Sequence, residues 1–305
     1  MDKLISPPSP ILSNKDLIAL APYAKHLGKA AKKVKRTRAN GQYQRPIKGH
    51  GMEMLELRQY QIHDEFRHID WRVTARTGTP HTRIYAQENE HKRMLMLDIS
   101  GSGYFGTRHT FISTRMVQVA CLIAWRTQIQ NDSLGYCLGF GDLIHQRAHI
   151  HNKKSFSSLV SQLAEATQVK HREKNSIVKP WEALHHDKSI KQQTIIILSD
   201  RLNVSDKDLK HLAQLAKHNY VYWIKIADTN AKKLPIGQYL MEDFNGLQWL
   251  SITKPTQHRI TEELEKQVNL LKQQLHNIGI QLHQYDLPES PITIARHLLA
   301  IGAIH

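Results

Sequence analysis

Met94-Leu-Met-Leu-Asp98-Ile-Ser100-Gly-Ser102-Gly-Tyr-Phe-Gly106 decides how this chain is read. The apolar run from Met94 to Leu97 is short enough for a buried strand, and it closes on an acid. A small glycine-rich loop follows, then an apolar segment from Phe111 to Ile129 that reads as a buried helix. Strand, small loop and helix in that order put a ligand outside the carboxyl end of a strand in an open α/β sheet.

Two ligand classes compete for the loop. Gly101-Ser-Gly103-Tyr-Phe-Gly106 matches G-x-G-x-x-G, the dinucleotide fingerprint. The same residues contain Asp98-x-Ser100-x-Ser102, one carboxylate and two hydroxyls at a strand tip. A dinucleotide needs a free positive helix end for its pyrophosphate, and Asp98 would place a negative charge beside it. It also needs an acid about 20 residues further on for the ribose, and Cys121-Leu-Ile-Ala-Trp-Arg126 offers none. Carboxylate and hydroxyl oxygens instead suit a hard divalent cation.

Working outward, apolar runs and amphipathic stretches alternate, as in a mostly parallel sheet covered on both faces. Leu134 to Phe140, Thr194 to Leu198, Tyr220 to Ile226 and Gly279 to Tyr285 read as strands. Ser155 to Ala166, Asp206 to His218, Thr261 to His276 and Pro291 to Ile301 read as helices. The expected fold class is α/β, a doubly wound, mostly parallel sheet over 91–305. It is preceded by a basic N-terminal tail and helix (1–48) and an irregular charged segment (49–90) expected to pack on it.

The 305 residues carry a net charge of +15, which attracts acidic partners without choosing among them. The excess is concentrated in an arm containing Lys25, Lys29, Lys32, Lys33, Lys35, Arg36 and Arg38, part of an expected helix from Lys15 to Lys35 interrupted at Pro22. Nucleic acid or an anionic surface is the alternative partner of that arm. With few aromatics to stack on bases, a solvated basic helix is favoured. Neither Cys121 nor Cys137 implies a disulfide framework. The N-terminus lacks a signal-peptide core and no run reaches membrane-spanning length, so a cytoplasmic protein is expected.

In a parallel sheet neighbouring strands end on one edge, so Asp98 and Asp200, each closing an apolar strand, can approach one ion. Lys174-Asn-Ser176-Ile is a polar loop between them. Asp-x-Ser-x-Ser, a later hydroxyl and a strand-ending aspartate resemble the metal-ion-dependent adhesion site (MIDAS) of von Willebrand factor A domains. Upstream, Gly51-Met-Glu53, Arg58-Gln-Tyr60, Asp64, Arg67, Ile69-Asp70-Trp71 and Thr74-Ala75-Arg76 resemble the signature of bacterial proteins catalogued as domain of unknown function 58. The likeness is strongest over residues 45–142.

That resemblance implies a von Willebrand factor A-like fold and a Mg2+ or Mn2+ ion held directly by Ser100 and Ser102. Asp98 and Asp200 would hold the ion's waters, with Ser176 as a further hydroxyl ligand. Two positions depart from the usual pattern: Ser176 stands where threonine is usual, and Gly103 where methionine is usual. The implied function is a non-enzymatic, metal-dependent protein-interaction module that meets an acidic residue of its partner, as adaptor or chaperone-like partner of a MoxR-type AAA+ ATPase. A metal-assisted hydrolase is disfavoured because only Asp98, Asp200 and Asp142 supply strand-tip carboxylates, and no histidine falls in the metal loops. On this reading Asp98 can be replaced with little loss of fold.

Overall fold

The computed structural model describes residues 7, 9–28, 48–62, 64–86, 91–107, 110–150, 152–171, 179–184, 187, 189–233, 235–243 and 246–305. The chain divides into two compact units, Met1–Lys32 with His91–His305, and Lys33–Glu90. The described residues 9–28 thus fall in the same unit as the sheet; they are part of the 1–48 stretch expected to be a basic N-terminal tail and helix. The reason is apolar spacing: Leu12, Leu17, Leu20, Ala24 and Leu27 are all buried in its core. Two short helices carry Leu17 and Ala24, α1 (Asn14–Ile18) and α2 (Ala21–Lys25), and Leu12, Leu20 and Leu27 flank them. Ser13 and Asp16 form a capping box at the start of α1, and Pro22 lies in the first turn of α2. The break expected at Pro22 therefore falls before it, at Ala19 and Leu20.

The Lys33–Glu90 unit contains β1 (Lys48–Gln59), α3 (Trp71–Thr77) and β2 (His81–Ala86). β1 and β2 pair antiparallel with register shifts between Gly49 and Glu56. Those irregularities hide the strand period in the sequence. Asp70 caps α3 by accepting from the Arg72 and Val73 amides at 3.1 Å each, and Gly78, at φ 71°, ends it.

The sheet unit follows: β3 (Lys92–Ile99), α4 (Ile112–Ile129), β4 (Ser133–Phe140), β5 (Leu143–Arg147), α5 (Lys153–Glu165), α6 (Pro180–Ala183), β6 (Thr194–Ser199), α7 (Asp206–His218), β7 (Tyr220–Ala227), β8 (Gly237–Asp243), β9 (Gly246–Ile252), α8 (Lys254–Asn277), β10 (Gln281–Asp286) and α9 (Pro291–Ala300). Six strands form one sheet in the order β10-β7-β6-β3-β4-β5, parallel except where β5 turns back on β4. β8 and β9 pair as a separate antiparallel hairpin. Neither β5 nor this hairpin was expected from the sequence, and α8 starts seven residues before the expected Thr261, because Thr253 caps it.

Side-chain alternation divides the core in two. Leu95, Leu97, Ile99, Ile196 and Leu198 pack with α1, α2, α4, α5 and α9 on one face. Met94, Met96, Ile195 and Ile197 pack with α6, α7 and α8 on the other, around Trp181 and Trp223. α4 is buried on nearly every side, as its continuous apolar character requires. From β3 the chain moves to β4 on one side and returns to β6 on the other, so the winding reverses between β3 and β6. Ligands of open α/β sheets bind at such a reversal. Among the described residues no helix is long and apolar enough to cross a membrane.

Candidate functional site

The parallel register pairs Asp98 of β3 with Ser199 of β6, so the two loops leave the sheet side by side. After Ser100 the chain makes a 3-10 turn, Gly101–Tyr104, closed by the Gly103 amide donating to the Ser100 carbonyl at 3.0 Å. This turn sets the Ser100 and Ser102 hydroxyl oxygens 2.7 Å apart. Asp200 meets both: its Oδ2 accepts from Ser100 Oγ at 2.5 Å and Ser102 Oγ at 2.7 Å, while its Oδ1 accepts from the Ser100 amide at 2.9 Å. A Cβ on Gly103 would lie 2.8 Å from Ile99 Cγ2 and 3.3 Å from Asp200 Oδ2. The missing side chain is what lets the carboxylate approach this closely. Tyr104 anchors the far end of the turn by donating to the Ala166 carbonyl at 2.9 Å.

Asp98 does not join this group. It is fully buried, and Arg201 grips it with both edges: Nε donates to Oδ2 at 2.7 Å and Nη2 to Oδ1 at 3.1 Å. Ser199 Oγ adds a third bond, to Oδ2 at 2.8 Å. Burial pushes the Asp98 carboxyl upward against the opposing pull of Arg201. In Arg201 burial acts downward, and Asp98 more than offsets it. The two expected partners are thus bound crosswise, Asp98 to residues 199 and 201, Asp200 to residues 100 and 102. Arg201 directly follows Asp200 in sequence, yet only the register of β3 against β6 reveals that it faces Asp98.

Lys225 of β7 was also missed, although a lysine inside Tyr220-Val-Tyr-Trp-Ile-Lys225-Ile is a visible anomaly. It is 4% exposed and donates to the Asp200 carbonyl at 2.6 Å. Burial pushes its ammonium down to about 8, with Asp200 acting the other way. Further along the edge, Asp228 accepts from the Thr107 amide and hydroxyl at 2.7 Å each, and Asp286 accepts from the Thr229 amide at 3.0 Å and its hydroxyl at 2.6 Å. A strand-tip aspartate that ties down a neighbouring loop is therefore a recurring device of this sheet.

The donor set can be compared with what a hard cation requires. Ser100, Ser102 and Asp200 offer convergent oxygens 2.5–2.7 Å apart, whereas adjacent ligands of an octahedral Mg2+ lie about 3.0 Å apart. A small opening of the cluster would accommodate the ion, so these three residues fit it in kind. Asp98 fits only when Arg201 lets go of it. Ser176, the expected further hydroxyl, lies outside the described residues. Among the described residues no three histidine, cysteine, aspartate or glutamate side chains gather, so any site here is built as much from hydroxyls as from carboxylates. The G-x-G-x-x-G reading lacks its context, because Gly101 and Gly103 lie in the 3-10 turn and α4 begins only at Ile112. Asp142 sits in the turn between β4 and β5.

The signature residues bond one another or near neighbours in the same unit. Arg58 Nη2 donates to Asp64 Oδ1 at 2.6 Å, Arg67 to Glu65 at 2.5 Å, and Arg83 to the helix-capping Asp70 at 2.9 Å. Tyr60 stacks on Phe66 with centroids 5.5 Å apart, while Trp71 and Arg76 are exposed. The side chain of Glu53 lies outside the described residues. In the basic arm Lys25 is exposed on α2, and Lys29, Lys32, Lys33, Lys35, Arg36 and Arg38 lie outside the described residues.

Comparison with known proteins finds both sequence relatives and solved structures similar to this chain. Two uncharacterized mycobacterial proteins, Rv1480 of Mycobacterium tuberculosis and Mb1516 of Mycobacterium bovis, are each 25% identical over 241 residues, covering 79% of this chain and 75% of theirs. An aerotolerance-related membrane protein from Bacteroides fragilis shares 12% identity over 68% of this chain and 98% of its own, with a TM-score of 0.39. The VWA domain of SpRpn10 shares 11% over 71% of this chain and 100% of its own, with a TM-score of 0.36. The fold is α/β, a doubly wound, mostly parallel sheet with helices on both faces. The family model described as "Protein of unknown function DUF58" matches residues 56–273, and the chain belongs to that family.

Proposed function

We propose that the chain is a protein-interaction module, without catalytic activity of its own, that receives an acidic side chain of its partner at the sheet edge beside Ser100, Ser102 and Asp200. The observation that carries the reading is the convergence of three side-chain oxygens where the strand order reverses. Ser100 and Ser102 each have one hydroxyl proton, which Asp200 can accept, and this leaves lone pairs on the serine oxygens for a cation. Mg2+ or Mn2+ is the proposed ion, and when bound it would supply the positive charge that attracts a carboxylate. The 3-10 turn and Lys225 hold the two loops in place. The family resemblance supplies the partner class, a MoxR-type AAA+ ATPase, with this chain as adaptor.

The test is capture of such an ATPase by the full chain in Mg2+, in excess chelator, and with Ser100→Ala/Ser102→Ala or Asp200→Ala. Capture is expected only in Mg2+ and only with the unsubstituted site. Capture that survives the chelator and both variants overturns the proposal.

A further inference from the structure

The cation already at this edge is a side chain. We infer that Arg201 is an internal competitor of the metal: its ion pair with Asp98 and an ion on Ser100, Ser102 and Asp200 oppose each other, so cation binding is coupled to release of Asp98. The inference rests on the cation-binding reading above and says what regulates that site.

Three observations carry it. Arg201 fills both oxygens of Asp98, the carboxylate that would otherwise orient the ion's waters. Asp98 has no exposure to solvent, so it cannot serve the guanidinium and an ion's water shell from independent sides. Charge points the same way. Asp98, Asp200 and Arg201 together carry one net negative charge, and protonated Lys225, bonded to the Asp200 carbonyl, cancels it. Bringing a dication beside a guanidinium in a half-dry site is opposed by a repulsion much stronger than in bulk water. Neutral hydroxyl ligands do little to offset it. The Arg201 side chain retains 20% exposure, so it has a route outward on releasing Asp98. The wild-type edge is thus latched, and it opens only at high ion concentration or when a partner carboxylate draws the guanidinium away.

The experiment titrates the full chain with MgCl2 by calorimetry, and with Mn2+ by water-proton relaxation, for wild type, Arg201→Gln and Arg201→Ala. Arg201→Gln keeps a donor for Asp98 and guards against misfolding. Both variants are expected to bind the ion at least about tenfold more tightly than wild type. Nitrogen-15 spectra of wild type supply a readout without substitution: the Arg201 Nε–H signal is expected to move along the same isotherm as ion binding. Equal or weaker affinity in the variants, or an Arg201 signal unmoved while wild type saturates, overturns the competitor role and leaves the metal site standing. No binding by any of the three proteins at tens of millimolar ion overturns both readings together.

Discussion

Lys225 holds the main chain of Asp200 from beneath, its Nζ donating to that residue's carbonyl oxygen at 2.6 Å and, more distantly, to that of Arg201 at 3.4 Å. The ammonium therefore fixes the backbone from which both the acid and the guanidinium of the edge project. Burial sets its pKa at about 8, against an ordinary 10.5. The unfolded chain binds the proton more tightly, so below pH 8 the folded state carries the full cost of a buried charge. That cost disappears as pH rises from about 8 to 10.5, and stability rises with it. The shift corresponds to roughly 3 kcal/mol across that window. Comparing denaturant unfolding of wild type and Lys225→Met at pH 7.5 and 10 isolates the effect: the variant loses the upward slope attributable to this group.

Asp208 provides the opposite sign. It is fully buried and accepts from Lys179, from Trp181 Nε1 at 2.8 Å, and from the Ser205 amide and hydroxyl at 2.9 and 2.6 Å. Burial pushes its carboxyl up, yet these donors bring it down to about 2, below the ordinary 3.8. Its contribution is fully present above pH 3.8 and is lost as pH falls through 2. Asp208→Ala leaves Lys179 and Trp181 without their acceptor and is expected to cost about 3–5 kcal/mol at neutral pH. Urea unfolding at pH 7 measures this, and a cost under 1 kcal/mol would mean the donors find other acceptors.

Gly103 controls the serine–aspartate cluster through space alone. An alanine Cβ would stand 2.8 Å from Ile99 Cγ2 and 3.3 Å from Asp200 Oδ2. The isoleucine can rotate, but the carboxylate is fixed by Ser100 and Ser102 and must move by a few tenths of an ångström. Gly103→Ala is expected to leave the fold intact, at a cost of about 1–2 kcal/mol, while loosening the bonds from Ser100 and Ser102. Amide hydrogen exchange at Ser100 reads the change directly, since that amide donates to Asp200. Faster exchange there, with β3 unchanged, is the expected result.

How much of this was legible beforehand depends on the kind of signal. β6 and α7 were visible because Thr194-Ile-Ile-Ile-Leu198 is uninterrupted and Asp206–His218 has a clear amphipathic period behind a capping serine. β1 was invisible because its pairing shifts register and alternation fails. The meeting of Ser100, Ser102 and Asp200 followed from parallel strands ending on one edge. The engagement of Asp98 by Arg201 did not, because a one-residue change of register would exchange which acid faces which loop. For the same reason Asp98 is no freely replaceable ligand. Asp98→Ala would strand a guanidinium at a half-buried edge, and a loss of about 3–5 kcal/mol is expected on unfolding.

One side chain of the sheet unit gathers the end of the second N-terminal helix. Arg126 of α4 donates to the carbonyls of Ala24 at 3.2 Å, Lys25 at 3.4 Å and Gly28 at 2.6 Å, and to that of His305 at 2.6 Å. It thus caps the end of α2 and secures the last residue at the same point. Upstream, the Leu12 amide donates to Thr167 Oγ1 at 2.9 Å, and Trp125 Nε1 to the Leu17 carbonyl at 3.1 Å. Residues 9–28 are therefore unlike a removable basic arm: deleting them takes away Leu17, Leu20 and Ala24, each at most 1% exposed, and uncovers the apolar face of α4 on which they pack. Arg126→Met removes four bonds to carbonyls while keeping the packing of the stem, and is expected to cost about 2–4 kcal/mol. Limited proteolysis locates the effect, with cleavage within residues 9–27 expected in the variant and not in wild type. Wild-type resistance of 9–27 in Arg126→Met would show that Leu17 and Leu20 hold the segment unaided.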